Sequence, residues 1–553
     1  MRFSTHLFAG VGFIALLSGS ATAASTPDYA SQPFELPGKI ESLVVADTNG
    51  DGLNELITVI DKRIRVYFQR PNGFDFANGF TEIDLPGEAI GWDISKNYSE
   101  SGNASIIALI DGSEVLVWHT ENESILAPVS VIAGLPGYLS RGVNRLHFSR
   151  DINGDAIDDL IIPGAGNLHL FIAGENNTYQ PGLSLYSDSR PRTNLDPTNL
   201  ERQTGQAILI PLMDLRDVNS DGFDDLISRS DERLDVFIAN QQASAYFSQA
   251  PSYSLDIAEI EELLGEFDID NLDFSNLTGV LALTHEEILD DVDGDGIDDL
   301  LLREGGKVSL FGGTASGMNF EQPRQVLRSG GNVLSTFLYD ENEDGLKDLW
   351  LWRVEPISVG DIFIWLALSG SVAVEAFIYP NEGERFSRRP TRKLTVNLQF
   401  PSVIRLATSF QEITSQARET LDREVIPAST ANVDSDFNSE DLLVLINNQV
   451  KIFLNSIETQ DESITFLGGL GYTRERDNYA INIREIIDNI AIGTNPLLAR
   501  VNDRVADLSI DLDTIVENGD IIAVRLNNDM LDDVFVFTDH SSSHIRGILL
   551  LSK

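Results

Sequence analysis

A chain of 553 residues with 86 Asp and Glu against 39 Lys and Arg carries a formal charge of −47, a carboxylate density that repels the phosphates of nucleic acids and anionic lipid headgroups. It has no cysteine, which excludes a disulfide framework and a lipoprotein acylation site. Its length and 42% hydrophobic content point to several domains, unless similar units bury their apolar faces only against their neighbours and so close into one body.

Residues 1–23 read as a secretory signal, with Arg2 as the positive start, an apolar run from Leu7 to Leu17, and the small residues Ala21-Thr22-Ala23 ahead of Ala24. The expected mature chain, 24–553, is exported to the periplasm or the extracellular space. Along it the acidic residues fall in short clusters of one composition. The first, Asp47-Thr-Asn49-Gly-Asp51-Gly-Leu53-Asn-Glu55, lies between β-type runs at 42–46, 56–60 and 64–68. A second, Asp93-Ile-Ser95, breaks off after Asn97 and is expected to hold no metal. The full pattern returns as Asp151-Ile-Asn153-Gly-Asp155-Ala-Ile157-Asp-Asp159 and Asp217-Val-Asn219-Ser-Asp221-Gly-Phe223-Asp-Asp225. It recurs as Asp291-Val-Asp293-Gly-Asp295-Gly-Ile297-Asp-Asp299 and Asp340-Glu-Asn342-Glu-Asp344-Gly-Leu346-Lys-Asp348. Asn432-Val-Asp434-Ser-Asp436 reaches Glu440 and Asp441 with Phe437 in place of glycine, a weak site at best. Arg525-Leu-Asn527-Asn-Asp529-Met-Leu-Asp-Asp533 has arginine first, and its guanidinium is expected to stand in for the cation.

Oxygen donors at positions 1, 3, 5 and 9 suit a hard cation, position 7 can add its backbone carbonyl, and glycine at position 6 permits the sharp turn. Ca²⁺ accepts such a loop more readily than Mg²⁺, which keeps its waters and demands a stricter octahedron. An EF-hand is excluded, because position 12 is Thr58, Ile162, Ser228, Leu302 or Leu351 where that motif needs glutamate, and the flanks are strands. Strand, acidic loop, strand, turn, strand resembles the FG-GAP/VCBS repeats of integrin-type propellers over nearly the whole mature chain. That resemblance implies side-chain ligands at positions 1, 3, 5 and 9 and a carbonyl ligand at position 7 of the five complete loops. Ala156, where glycine is usual, is expected to add a little strain and to remove no ligand.

The fold expected is all-β, a single β-propeller of four-stranded blades with short helical insertions on one face. The units headed by residues 47, 93, 151, 217, 291, 340, 432 and 525 make eight blades, against the commoner seven. The last unit offers only three strands, and the segment Pro33–Gly38, which echoes the outer-strand sequence Thr81–Gly87, is expected to complete it and close the ring.

Insertions near 187–205, 258–278, 354–370, 405–422 and 473–518 should crowd the face opposite the acidic loops. Helix signals are Ile257, Ile260 and Leu264 before Gly265; Ser409 with Glu412 as a capping pair; and Ile483, Ile486, Ile487 and Ile490 before Gly493. These helices either build a binding face or plug a wide central channel. The apolar stretch 357–374 reads as a buried helix running into a strand, too short for a bilayer span. Arg385, Arg388, Arg389, Arg392 and Lys393 belong on the acidic-loop face, paired with its carboxylates, while Trp350 and Trp352 read as packing between blades.

With no nucleophile elbow, phosphate-cradling loop or zinc signature, the function expected is a noncatalytic binding, adhesion or scaffold module. Its partner is a polysaccharide or an envelope protein. The alternative is a polysaccharide lyase-type enzyme on the same fold.

Overall fold

The computed structural model describes residues 28–553 apart from 39–42, 61, 88, 96–102, 136–143, 165, 175–177, 196–201, 241–244, 269–271, 403–425, 435, 437–438, 459–466, 469, 484–495, 502–503, 514–515, 517–518 and 542–543. The expected signal segment 1–23, the insertion 405–422 with its capping pair, most of the helix signal at 483–493, Asn97 and Phe437 lie outside the described residues.

Four-stranded antiparallel meanders follow one another along the chain. The first is Val44–Ala46, Glu55–Ile60, Arg63–Tyr67 and Phe80–Asp84, each strand paired with its sequence neighbour. Six more begin at Ala89, Ser149, Leu212, His285, Asn332 and Ala428, and the eighth comprises Asp520–Val524, Asp533–Ser541 and His544–Ser552. The fourth strand of that last sheet comes from the other end of the chain: Tyr29–Pro37 pairs antiparallel with His544–Ser552, from Tyr29 opposite Ser552 to Pro37 opposite His544. The segment expected to join the C-terminal strands does so.

The second strands are apolar on both faces because each sheet is covered on both sides. Leu56 and Ile57 are adjacent and both fully buried, pointing into different cores: Ile57 packs with Trp92 and Ile106 of the second sheet, Leu56 with Phe535 and Leu549 of the eighth. Comparable clusters join the second sheet to the third, third to fourth, fourth to fifth, fifth to sixth, and seventh to eighth. Between sixth and seventh the cluster is of another kind. Trp350, Trp352 and Val396 of the sixth sheet pack on Leu467 and Tyr479, which belong to an insertion of the seventh unit. Trp350 and Trp352 are buried there, with Trp350 against Phe337 and Tyr472, so they are packing residues as expected. An all-β chain of successive meander sheets stacked face to face is β-propeller-like.

Meander parity sends first-to-second and third-to-fourth connections to one face and all others to the opposite face. Every acidic loop is a first-to-second connection. The 187–205 insertion is a long hairpin, Asp188–Leu195 with Arg202–Leu209. The 258–278 insertion opens with helix α1, Ile257–Leu264, capped by the Asp256 carboxylate accepting from Glu259 N at 2.8 Å, and continues to a 3₁₀ turn at Leu277–Leu283. Both lie between sheets, on the face away from the acidic loops.

Two expectations are corrected. Leu508–Asp511 pairs with Gln449–Glu458 as the fourth strand of the seventh sheet. The part of the insertion expected at 473–518 that precedes Leu508 therefore lies within the third-to-fourth connection, on the acidic-loop face. Part of it, Asn478–Asn482, adds a parallel fifth strand to the sixth sheet through Arg392–Phe400. Second, the stretch at 357–374 does form a helix followed by a strand, but helix α2, Val359–Ala367, is not buried: Phe363 is 66% and Ile364 55% exposed. Its Ser358–Asp361 capping box fixes where it starts, yet its sequence has no polar stripe to say which side faces inward. No helix among the described residues is long and apolar enough to cross a membrane.

Candidate metal centre

The five complete loops fold alike because the same backbone donors meet the same side chains. The first-position carboxylate turns back over the loop: Asp47, Asp151, Asp291 and Asp340 accept from the amide of position 4 at 2.6–2.8 Å. Their other oxygen, and that of Asp217, accepts from position 6 at 2.8–2.9 Å. Position 5, as Asp51, Asp155, Asp221, Asp295 or Asp344, accepts from the amides of Leu53, Ile157, Phe223, Ile297 and Leu346 at 2.8–3.0 Å. These bonds need left-handed backbone at position 6, where φ is 84° at Gly52, 67° at Ala156, 89° at Gly222, 85° at Gly296 and 91° at Gly345. Ala156 is thus the strained position among the five.

Position 3 sets the loops apart. Asn49, Asn153 and Asn219 donate their side-chain amide to the position-5 carboxylate at 3.0–3.3 Å while their Oδ1 accepts from the position-5 backbone amide at 2.9–3.1 Å. Asn342 Oδ1 is buried without a hydrogen-bond partner. In the fourth complete loop the third residue is acidic, and one carboxylate oxygen from each of Asp291, Asp293 and Asp295 lies within 4.8 Å of the others.

Position 9 does more than its spacing suggests. Glu55, Asp159, Asp225, Asp299 and Asp348 are all buried. Glu55, Asp159, Asp225 and Asp348 accept from the position-2 amide at 2.7–3.1 Å. Asp159, Asp225, Asp299 and Asp348 also accept from Ala173, Ala239, Gly313 and Asn381 just beyond the third-strand core, at 2.6–2.8 Å. The residue therefore ties the loop to the sheet. Burial pushes these carboxyls up, to about 7 for Glu55 and Asp159 and about 6 for Asp225 and Asp299, against the lowering effect of those amides.

Arginines and a serine that the spacing did not mark complete the picture. Arg324, from a third-to-fourth connection, reaches Asp293 at 2.6 Å and Asp299 at 3.5 Å, so the loop with the extra carboxylate also has an extra cation. In the last loop Arg525 does not take the cation's place: it pairs with Asp532 at 3.3 Å, outside positions 3, 5 and 9. The Ser552 hydroxyl instead lies 2.8 Å from Asp529 and 2.9 Å from Asp533, so its single proton is donated to one of the two acids at a time. Asp93 is held by Arg145 at 3.0 Å and by the Ser149 amide at 3.1 Å. Around Asp340–Asp348, Glu341 binds Arg392 at 2.6 Å and the Tyr472 hydroxyl at 3.0 Å, with Arg474 at 3.6 Å. Arg392 also meets Asp477 at 2.7 Å; it is the member of the basic cluster that reaches an acidic loop as expected, whereas Lys393 pairs with Glu375 of the adjacent strand and Arg385 with Glu382 of its own turn at 3.5 Å. Arg388 and Arg389 are exposed.

No protein-family profile matches the chain, and no curated protein matches it. Similar solved structures include Sqt1 of Saccharomyces cerevisiae, at 10% identity over 94% of this chain and 98% of that one, with a TM-score of 0.29. Another is an Agrocybe aegerita lectin described as recognising non-reducing terminal N-acetylglucosamine, at 13% identity over 66% and 80%, with a TM-score of 0.25. A third is BBS1N in complex with ARL6DN, at 9% identity over 95% and 97%, with a TM-score of 0.24. Likeness at this level carries no functional argument, and the fold rests on the sheets themselves.

Proposed function

We propose that the chain is an exported, noncatalytic propeller of eight blades, closed by its N-terminal strand, in which five FG-GAP/VCBS-type loops hold Ca²⁺. On this reading the insertion-bearing face binds a polysaccharide or an envelope protein. The observation that carries the metal assignment is the convergence of Asp291, Asp293 and Asp295 on one point, in a loop whose backbone bonding the other four complete loops share. The donor set fits: carboxylate oxygens that accept one amide each keep a lone pair for a cation, and the orphaned Asn342 Oδ1 is an oxygen lacking a partner. The ligand set proposed comprises side chains at positions 1, 3, 5 and 9 with the carbonyls of Leu53, Ile157, Phe223, Ile297 and Leu346. The ion would neutralise clustered acids in a chain of charge −47 and stabilise the fold by mass action. Eight sheets and the pairing of Tyr29–Pro37 with His544–Ser552 support the closed ring over the seven-bladed alternative.

Metal analysis of the calcium-equilibrated protein is expected to give about five ions per chain, one for each complete loop. Asp295→Ala should lose one ion and Asp529→Ala none; fewer than about three ions in the unaltered chain overturns the ligand assignment. Release of unsaturated uronides from acidic polysaccharides would replace the binding module with a lyase.

A further inference from the structure

We propose that α1, the 3₁₀ turn Leu277–Leu283 and α2 together form a docking surface for a cationic amphipathic polypeptide segment. The inference rests on reading the insertion-bearing face as a binding face, and it selects a protein partner over a polysaccharide. α1 and the 3₁₀ turn come from the connection between the fourth and fifth sheets, and α2 from the second-to-third connection of the sixth. Parity places all three on one face; hydrogen bonds tie the 3₁₀ turn to the start of α2, Leu277 N to Ile357 O at 2.7 Å, Val359 N to Phe274 O at 2.9 Å and Thr278 Oγ1 to Glu355 O at 3.1 Å, while α1 is anchored by Ile257 and Ile260 in the core between the fourth and fifth sheets. The surface is therefore assembled before any partner arrives.

Its chemistry has two parts. Nine of the nineteen exposed large hydrophobic residues among those described lie in these two insertions, including Leu263 at 76% exposure and Phe363 at 66%. Such a concentration marks a contact surface, whereas scattered single residues do not. Between α1 and the 3₁₀ turn lies a cavity of about 740 Å³ floored by Phe267, Val280 and Leu283 and edged by Glu261, Glu262 and Glu266. Residues 254–284 contain eight Asp or Glu and residues 354–371 two, with no Lys or Arg in either stretch. Asp256 and Asp361 cap the helices and Glu261 faces His285 at 3.2 Å, so the carboxylates that apolar contact brings a partner among are chiefly Glu262 and Glu266 at the cavity. An acidic polysaccharide, an anionic bilayer and a second copy of this chain all bring the wrong sign. A helix with apolar residues on one side and lysine or arginine along its edges satisfies both parts, its apolar side on Phe363 and Leu263 and a long basic side chain entering the cavity.

The test uses the full calcium-loaded protein and a Leu/Lys amphipathic peptide of about 18 residues. Its comparators are a Leu/Glu peptide of the same pattern and a Lys/Ser peptide of the same charge. The Leu/Lys peptide should bind at least about tenfold more tightly than either comparator, and Phe363→Ser with Ile364→Ser should lose about tenfold without lowering the melting temperature. Glu262→Gln with Glu266→Gln should weaken binding severalfold and flatten its salt dependence. Equal binding of the Leu/Lys and Lys/Ser peptides, equal binding to the Phe363/Ile364 variant, or no binding overturns the proposal. So does phosphatidylcholine vesicle binding that those substitutions abolish, which assigns the face to lipid. Calcium content is measured in every sample, so a failure here is distinguishable from a failure of the metal assignment.

Discussion

Shortening the chain to begin at Gly38 removes the strand Tyr29–Pro37 while leaving all five complete loops intact. Phe34 and Leu36 of that strand are buried against Phe535, Phe537, Leu56 and Tyr67, so they contribute to both the eighth sheet and its contact with the first. Burial of two such side chains is worth about 3–6 kcal/mol, while the ordering cost of the strand's backbone is largely offset by its ladder hydrogen bonds. Unfolding entropy of about 2 cal/mol/K per residue makes each kcal/mol worth about 1 °C in a chain this long. A drop of about 3–6 °C in Tm is therefore expected by calorimetry at fixed Ca²⁺. Loss of the strand also leaves His544–Ser552 as an open edge, so light scattering should show faster aggregation, and a peptide of residues 28–37 added in trans should suppress it. Equal melting temperatures and equal solubility for the two chains would refute the reasoning, because an eighth sheet that does not need this strand does not close the ring with it.

Three further outcomes follow from the loops. Arg324→Gln removes the cation beside Asp293 and Asp299 and should raise calcium affinity at that one site by about tenfold, read by competition with a chromophoric chelator; unchanged affinity would show that the arginine does not oppose the ion. Ala156→Gly relieves a side chain held at φ 67° and should stabilise the protein by about 1 kcal/mol in urea melts, with no stabilisation if the loop relaxes freely. The calcium-free protein should lose stability as pH rises from about 5 to 8, the reverse of ordinary acid denaturation. Glu55 and Asp159, pushed up to about 7, and Asp225 and Asp299, at about 6, bind protons in the folded state that the unfolded chain has already released in that window. Calcium should bind more tightly across the same rise because it displaces those protons, and greater stability of the calcium-free protein at pH 8 than at pH 5.5 would contradict the account.

The loops were legible because their oxygens are local: Asp291, Asp293 and Asp295 lie within five residues and the turn that gathers them needs only backbone amides. The long-range pairing of Tyr29–Pro37 was legible for a different reason, since three strands without a fourth leave an edge that one apolar segment elsewhere could fill. Arg324 and Ser552 were not, because they approach Asp293 and Asp529 from strand ends that no spacing rule connects to those loops. The outer strand Leu508–Asp511 was missed for a related reason: four residues deep in a long insertion carry too little pattern to outweigh length, and their omission moved the residues before them to the wrong face. Helix α2 was expected from its apolar run alone and misjudged in burial, because a mainly apolar segment suggests a helix without defining its inner side.

Basic residues meet carboxylates on both faces, as Lys307 does at Glu304 on the insertion-bearing face, so the chemical contrast lies in the acidic loops and the two insertions themselves. On the acidic-loop face, cations of the chain already stand against the carboxylates: Arg324 at Asp293, Lys347 at Asp290, Arg392 at Glu341 and Arg525 at Asp532. Among the described residues, the acidic oxygens that converge are those of Asp291, Asp293 and Asp295, a spacing that suits a bare ion and nothing larger. On the opposite face, the stretches 254–284 and 354–371 have ten acids, no basic residue and a broad apolar surface between them. A free ion could screen those acids but would leave Phe363 and Leu263 in water, so the ligand that satisfies this face has to carry apolar area as well as charge. If both proposals hold, removal of calcium and removal of a docked polypeptide are separable perturbations: the first should act on the stability of the stack, the second on what the stack is able to hold.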